Sequence, residues 1–214
     1  MVKVYVEGGG HQNSTLAQDV HKGFQSFFTK AGFDKRPAVV VCGSRQMAYN
    51  DYCIAIKAGK SAMLLVDSES PVQEEFEKGN IHDWKPWEQI QSRKDQSGNK
   101  CDKWERIGVD TDCHLMVQMM ESWFLADVEA LKKYFSEGFK ETKFPKDDEN
   151  IEKMSKKKIE DIFNSSTKDT KKEGYKKGRD SFIILSQIDP QKVRSRSKWA
   201  ERFLCLLKER IDSM

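Results

Sequence analysis

Val2-Lys3-Val4-Tyr5-Val6-Glu7-Gly8-Gly9-Gly10 decides how the rest of the chain is read. The apolar start predicts a short β-strand over Val2–Val6 that stops on a carboxylate and three glycines. Gly8, Gly9 and Gly10 are expected to end the strand and to allow unusual backbone angles. A second stretch matches the first. Ala62-Met63-Leu64-Leu65-Val66-Asp67-Ser68-Glu69 is an apolar strand that also ends in acids. Two strands stopping on carboxylates point to a metal site at one edge of a sheet.

Between these stretches, strands and helices alternate. Asn13 or Ser14 is expected to cap a helix carrying Leu16, Val20, Phe24, Phe27 and Ala31, with Gly32 closing it. Ala38–Cys42 reads as a continuously apolar strand, as expected when both faces are covered. Gly43-Ser44-Arg45 turns the chain into a helix over Gln46–Ala58, and Ala62–Val66 is the third strand. The alternation predicts an α/β fold with an open, mostly parallel sheet flanked by helices.

Ser70–Thr111 breaks the rhythm and reads as a polar insertion (about residues 70–112) with a short helix near Trp87–Arg93. His114–Gln118 is a fourth strand. Met119–Phe135 reads as one helix, and a lysine-rich helix follows over about Asn150–Phe163, with a break at Asn164–Thr167. Helices near Arg179–Ile188 and beyond Asp189-Pro190 complete the chain. The expected division is a core over residues 1–136 and a basic helical C-terminal extension over 137–214, packed on the core.

Composition bounds the function. The 214 residues suit one core, 33% of them are charged and 37% hydrophobic. No apolar run approaches the ~20 residues of a membrane span, and Met1-Val2-Lys3-Val4 lacks a signal-peptide pattern. Five scattered cysteines form no C-x-x-C pair and are expected as free thiols in a reducing cytoplasm. Net charge is only +3, yet Lys153, Lys156, Lys157, Lys158, Lys168, Lys171, Lys172, Lys176, Lys177 and Arg179 crowd one region. Phosphate binding and a solvated surface both account for such a cluster.

In a doubly wound sheet, ligands bind beyond the carboxyl ends of the strands, at the point where strand order reverses. With strand order two-one-three, Glu7, Asp67 and Glu69 fall at that point, and Glu121 follows strand four on the same edge. Taken alone, Asp67 or Ser68 reads as a helix cap and Glu121 as a first-turn acid serving the helix dipole. Taken together with Glu7, they read as ligands for a hard divalent ion. The glycines are neither a dinucleotide fingerprint nor a P-loop. His11 is placed to contact a phosphate or to act as a base.

These residues resemble the topoisomerase–primase (TOPRIM) fold, which supplies a glutamate after its first strand and a D-x-D pair after its third. More closely, the chain is similar to a bacterial family, domain of unknown function four-two-seven-six. That likeness rests on Val6-Glu7-Gly8-Gly9-Gly10, Cys42-Gly43-Ser44-Arg45, Val66-Asp67-Ser68-Glu69, Pro86-Trp87, the run Met116 to Asp127, Gly178-Arg179-Asp180 and Ile188-Asp189-Pro190. The resemblance implies an Mg²⁺- or Mn²⁺-dependent nuclease acting on DNA or RNA. Glu7 would be general acid or base and a metal ligand, Asp67 and Glu69 would hold the ion, and Glu121 joins them as a catalytic candidate. Gly8, Gly9, Gly10, His11, Arg45, Lys172, Lys176, Lys177 and Arg179 are the expected nucleic-acid contacts. It also implies an anti-phage or toxin-type setting, with an SMC/ABC-type ATPase as a partner. As an alternative, the chain is a non-catalytic subunit of such an ATPase, docking through Trp84, Trp87 and Trp104. The acid pair here is D-x-E, which lengthens one ligand. No topoisomerase tyrosine or primase zinc motif accompanies it, so cleavage is favoured over strand passage or priming.

Overall fold

A computed structural model describes residues 1–9 and 14–214. Gly10, His11 and Asn13, each given a role above, lie outside the described residues. Four strands, β1 (Lys3–Gly9), β2 (Ala38–Gly43), β3 (Ala62–Asp67) and β4 (Cys113–Met116), form one sheet in the order β2-β1-β3-β4. Every pairing is parallel. The fold is thus α/β with a parallel sheet flanked by helices.

Side-chain alternation sorts the sheet into two faces. Val4, Val6, Met63 and Leu65 join one apolar cluster with α1 (Ser14–Lys30). Tyr5, Leu64 and Val66 join the other with α2 (Arg45–Lys57) and α3 (Pro86–Ser92). All six residues of β3 are buried, as its central place requires. The first cluster also takes in Phe182, Leu185, Phe203 and Leu207 from the C-terminal helices α7 (Ser181–Gln187) and α9 (Lys198–Asp212).

Several boundaries differ from the sequence reading. β1 does not stop at Val6. Gly8 and Gly9 both pair with Gly43 across a bulge, so Glu7 projects from within the strand. The stretch read as one helix after β4 is two, α4 (Glu121–Phe124) and α5 (Val128–Phe135). Asp127 divides them because its carboxylate caps α5 at Ala130 N–H, 3.3 Å away, and also accepts from Asp189 N–H at 2.9 Å. Asn164–Thr167 is no break but the last turn of α6 (Lys156–Thr167). It is held by Thr167 Oγ1, which donates back to Phe163 C=O at 2.6 Å. A short helix, α8 (Pro190–Arg196), precedes α9, with Asp189 and Ser197 as their caps.

Trp84, Trp87 and Trp104 are buried rather than displayed. The indole of Trp104 stacks on Tyr49 at 4.5 Å, and Trp84 packs on Trp199 at 4.8 Å. The exposed aromatic docking surface is therefore not there. All five cysteines are unpaired. Among the described residues, no helix is long and apolar enough to cross a membrane.

Candidate metal centre

The site is built where β1 and β3 run side by side. Val6 pairs with Leu65, so Glu7 on β1 and Asp67 at the end of β3 lie on one edge. Glu7 Oε1 accepts the Asp67 backbone N–H at 2.6 Å, which ties one half of the site to the other. Asp67 Oδ1 accepts from Met120 N–H at 2.8 Å. Glu69 follows in left-handed backbone, φ 65°, a conformation costing a glutamate about 1 kcal/mol. Its N–H is anchored on Gln118 C=O at 2.9 Å, and its carboxylate pairs with Lys156 at the start of α6. One oxygen each from Glu7, Asp67 and Glu69 lies within 4.8 Å of the others.

Crowding shapes their protonation. Burial raises the Glu7 pKa. The Asp67 N–H and Arg45 oppose that rise, and Glu69 adds to it. Burial also raises Asp67 well above the ordinary carboxylate range, and the charges of Glu7 and Glu121 push it further. An all-oxygen donor set under mutual repulsion fits a hard cation.

Glu121 stands beside the three. It opens α4 and is almost wholly buried, at 1% exposure. Oε1 accepts the Tyr175 hydroxyl at 2.7 Å and lies 3.7 Å from the Lys177 ammonium, while Oε2 is buried with no hydrogen-bond partner. Glu121, Tyr175, Lys177, Met119 and Phe163 line a cavity of about 220 Å³. Partial burial works to lower the Lys177 pKa, but Glu121, Asp67, Glu7 and Glu69 together raise it.

The remaining predicted contacts separate. Gly8, at φ 136°, leaves its missing Cβ position to Phe182 Cζ (3.0 Å) and Val20 Cγ2 (3.2 Å), so its smallness serves helix packing. Gly9 takes part in the bulge opposite Gly43. Arg45 opens α2 with Nε donating to Asp67 C=O at 3.1 Å and its guanidinium 4.3 Å over Trp104. It also pairs with Asp102, which draws the insertion in against the site. Arg179 grips Asp180 and the carbonyls of Lys172 and Gly174, fixing the shape of the 172–180 loop. Lys172 lies 4.2 Å over the Tyr134 ring, and Lys176 lies 3.7 Å from Glu173. Of that basic segment, Lys177 alone is paired with one of the four acids among the described residues.

A family model described as a domain of unknown function (DUF4276) matches residues 6–208. The chain belongs to this family. No curated protein and no solved structure matches it. The matched span of this DUF4276 chain takes in Glu7, Asp67, Glu69, Glu121 and Lys177, leaving out residues 1–5 and 209–214.

Sequence reasoning missed Tyr175 and placed Lys156 only among the clustered lysines. Tyr175 left a faint signal as the one aromatic in a run of lysines. Nothing in the sequence pairs Lys156 with Glu69, 87 positions away.

Proposed function

We propose that the chain is a metal-dependent phosphodiesterase of DNA or RNA, with Glu7, Asp67 and Glu69 as its centre. The observation that carries this reading is the meeting of three carboxylate oxygens within 4.8 Å at the carboxyl edge of a parallel sheet. The likeness to the TOPRIM pattern supports it, with an acid on the first strand and an acid pair closing the third. Mg²⁺ or Mn²⁺, held by Glu7, Asp67 and Glu69, would supply a more acidic water and a charge to oppose that of the phosphate.

The protein groups divide the work. Glu7 Oε1 is held by the Asp67 N–H, so Oε2 is the atom left to take a proton from the attacking water. Asp67 is oriented by Met120 N–H, and Glu69 by its strained backbone and Lys156. Lys177 offers an ammonium to a phosphate oxygen at the same edge.

Labelled tRNA and plasmid DNA, incubated with the full chain and Mg²⁺, Mn²⁺ or chelator, test the reading. Metal-dependent cleavage by the wild type, lost in both Glu7→Gln and Asp67→Asn, supports it. Cleavage that survives both substitutions, or none with either metal, overturns it.

A further inference from the structure

Four carboxylates gather at this edge, and two of them already have a cation. Glu69 is paired with Lys156, and Glu121 lies 3.7 Å from Lys177. The two lysines reach the site from different elements, α6 and the 172–180 loop, so each is held independently. Glu7 and Asp67 are left without an ion-pair partner among the described residues, each held only by a backbone N–H. Arg45, the other cation at this edge, is committed to Asp102, so Glu7 and Asp67 are the two acids left for a divalent ion.

Glu121 makes the same point from the other side. Its buried Oε2 has no hydrogen-bond partner, and the residue lines the cavity together with Lys177 and Tyr175. A buried carboxylate oxygen without a partner is costly, and a catalytic role, a water or an ion accounts for one that is kept. The cavity, at about 220 Å³, has room for an ion and its waters. Yet a second divalent ion there would face the Lys177 ammonium across the same carboxylate.

Resting on the phosphodiesterase reading, we infer that the centre takes a single divalent ion, and that the Lys177 ammonium on Glu121 occupies the place of a second. Lys177 then supplies the second positive charge to the phosphodiester. An ammonium carries three donors, so one can serve Glu121 while others reach a phosphate oxygen.

The test is metal stoichiometry, which needs no turnover. Mn²⁺ is titrated calorimetrically into the full-length wild type, Lys177→Met, Lys177→Arg and the double variant K177M/E121Q, with thermal melts confirming that each is folded. The expected result is one ion per chain for wild type and Lys177→Arg, two for Lys177→Met, and one again for K177M/E121Q. Two ions in the wild type, or one in Lys177→Met, overturn the inference and leave the phosphodiesterase reading standing. No ion in any of the four overturns both.

Discussion

Buried charge is treated in opposite ways at the two ends of β4. At the amino end, Arg202 is fully buried and each of its guanidinium nitrogens has a partner. It gives hydrogen bonds to Ile81, Cys113 and Asp110 carbonyls at 2.8–2.9 Å and lies 3.2 Å from His114 Nδ1. Beyond the carboxyl end, Glu121 keeps an oxygen with no partner, burial and the charges of Glu7 and Glu121 raise the Asp67 pKa, and burial and Glu69 raise that of Glu7. Satisfied buried charge holds a fold together. Unsatisfied, mutually repelling charge lowers stability and persists where a ligand completes it.

Breaking the satisfied end should have the largest effect. Arg202→Met strands three carbonyls and a histidine, and chemical denaturation should show a loss on the order of 4 kcal/mol. Near the acidic end, Gly8→Ala should cost about 2 kcal/mol, because its Cβ would meet Phe182 at 3.0 Å in a backbone conformation few side chains adopt. A loss of a few tenths would mean that Phe182 yields freely.

The two ends should also differ in how their titratable groups set stability. Burial and the neighbouring Arg202 hold His114 well below its ordinary pKa, so it is neutral when folded. Below the unfolded pKa near 6.5, the unfolded chain binds the extra proton, so stability falls as pH falls. The expected slope from this group rises from about 0.7 kcal/mol per pH unit at pH 6.5 toward about 1.4 near pH 5, and His114→Gln should flatten it in denaturation curves over that range. Asp67→Asn keeps an acceptor for Met120 N–H and removes a repelling charge. In metal-free buffer it should gain about 1 kcal/mol while abolishing any metal-induced rise in melting temperature. A destabilised Asp67→Asn would mean that repulsion is not what sets this end apart. Lys176→Ala, on the surface beside Glu173, should change stability by less than about 0.5 kcal/mol.

Much of this contrast is absent from the sequence, for a physical reason. The parallel sheet is legible because strand patterning is local and crossovers are right-handed. The same rules bring Glu7, Asp67 and Glu69 to one edge before any coordinate is known. What surrounds them is not local. Lys156 finds Glu69 from 87 positions away, Tyr175 finds Glu121 from 54, and Arg202 finds Cys113 C=O from 89. No periodicity encodes such pairs. The glycines differ in another way. Three in a row read as the end of the strand, whereas Gly8 and Gly9 continue it through a bulge and Gly8 makes room for Phe182. The tryptophans of the insertion are surrounded by charges in sequence but face inward once folded, because neighbours along the chain are not neighbours in space.

The left-handed backbone of Glu69 has a consequence for what position 69 can hold. Short polar residues such as aspartate settle in that conformation more readily than glutamate does. An aspartate would be easier to fold there and shorter by one methylene. That methylene gives the carboxylate the reach to meet Glu7 and Asp67 on one side and Lys156 on the other. Position 69 thus trades ease of folding for length, and Glu69→Asp would reverse the trade, relaxing the chain while drawing the third acid back from the other two.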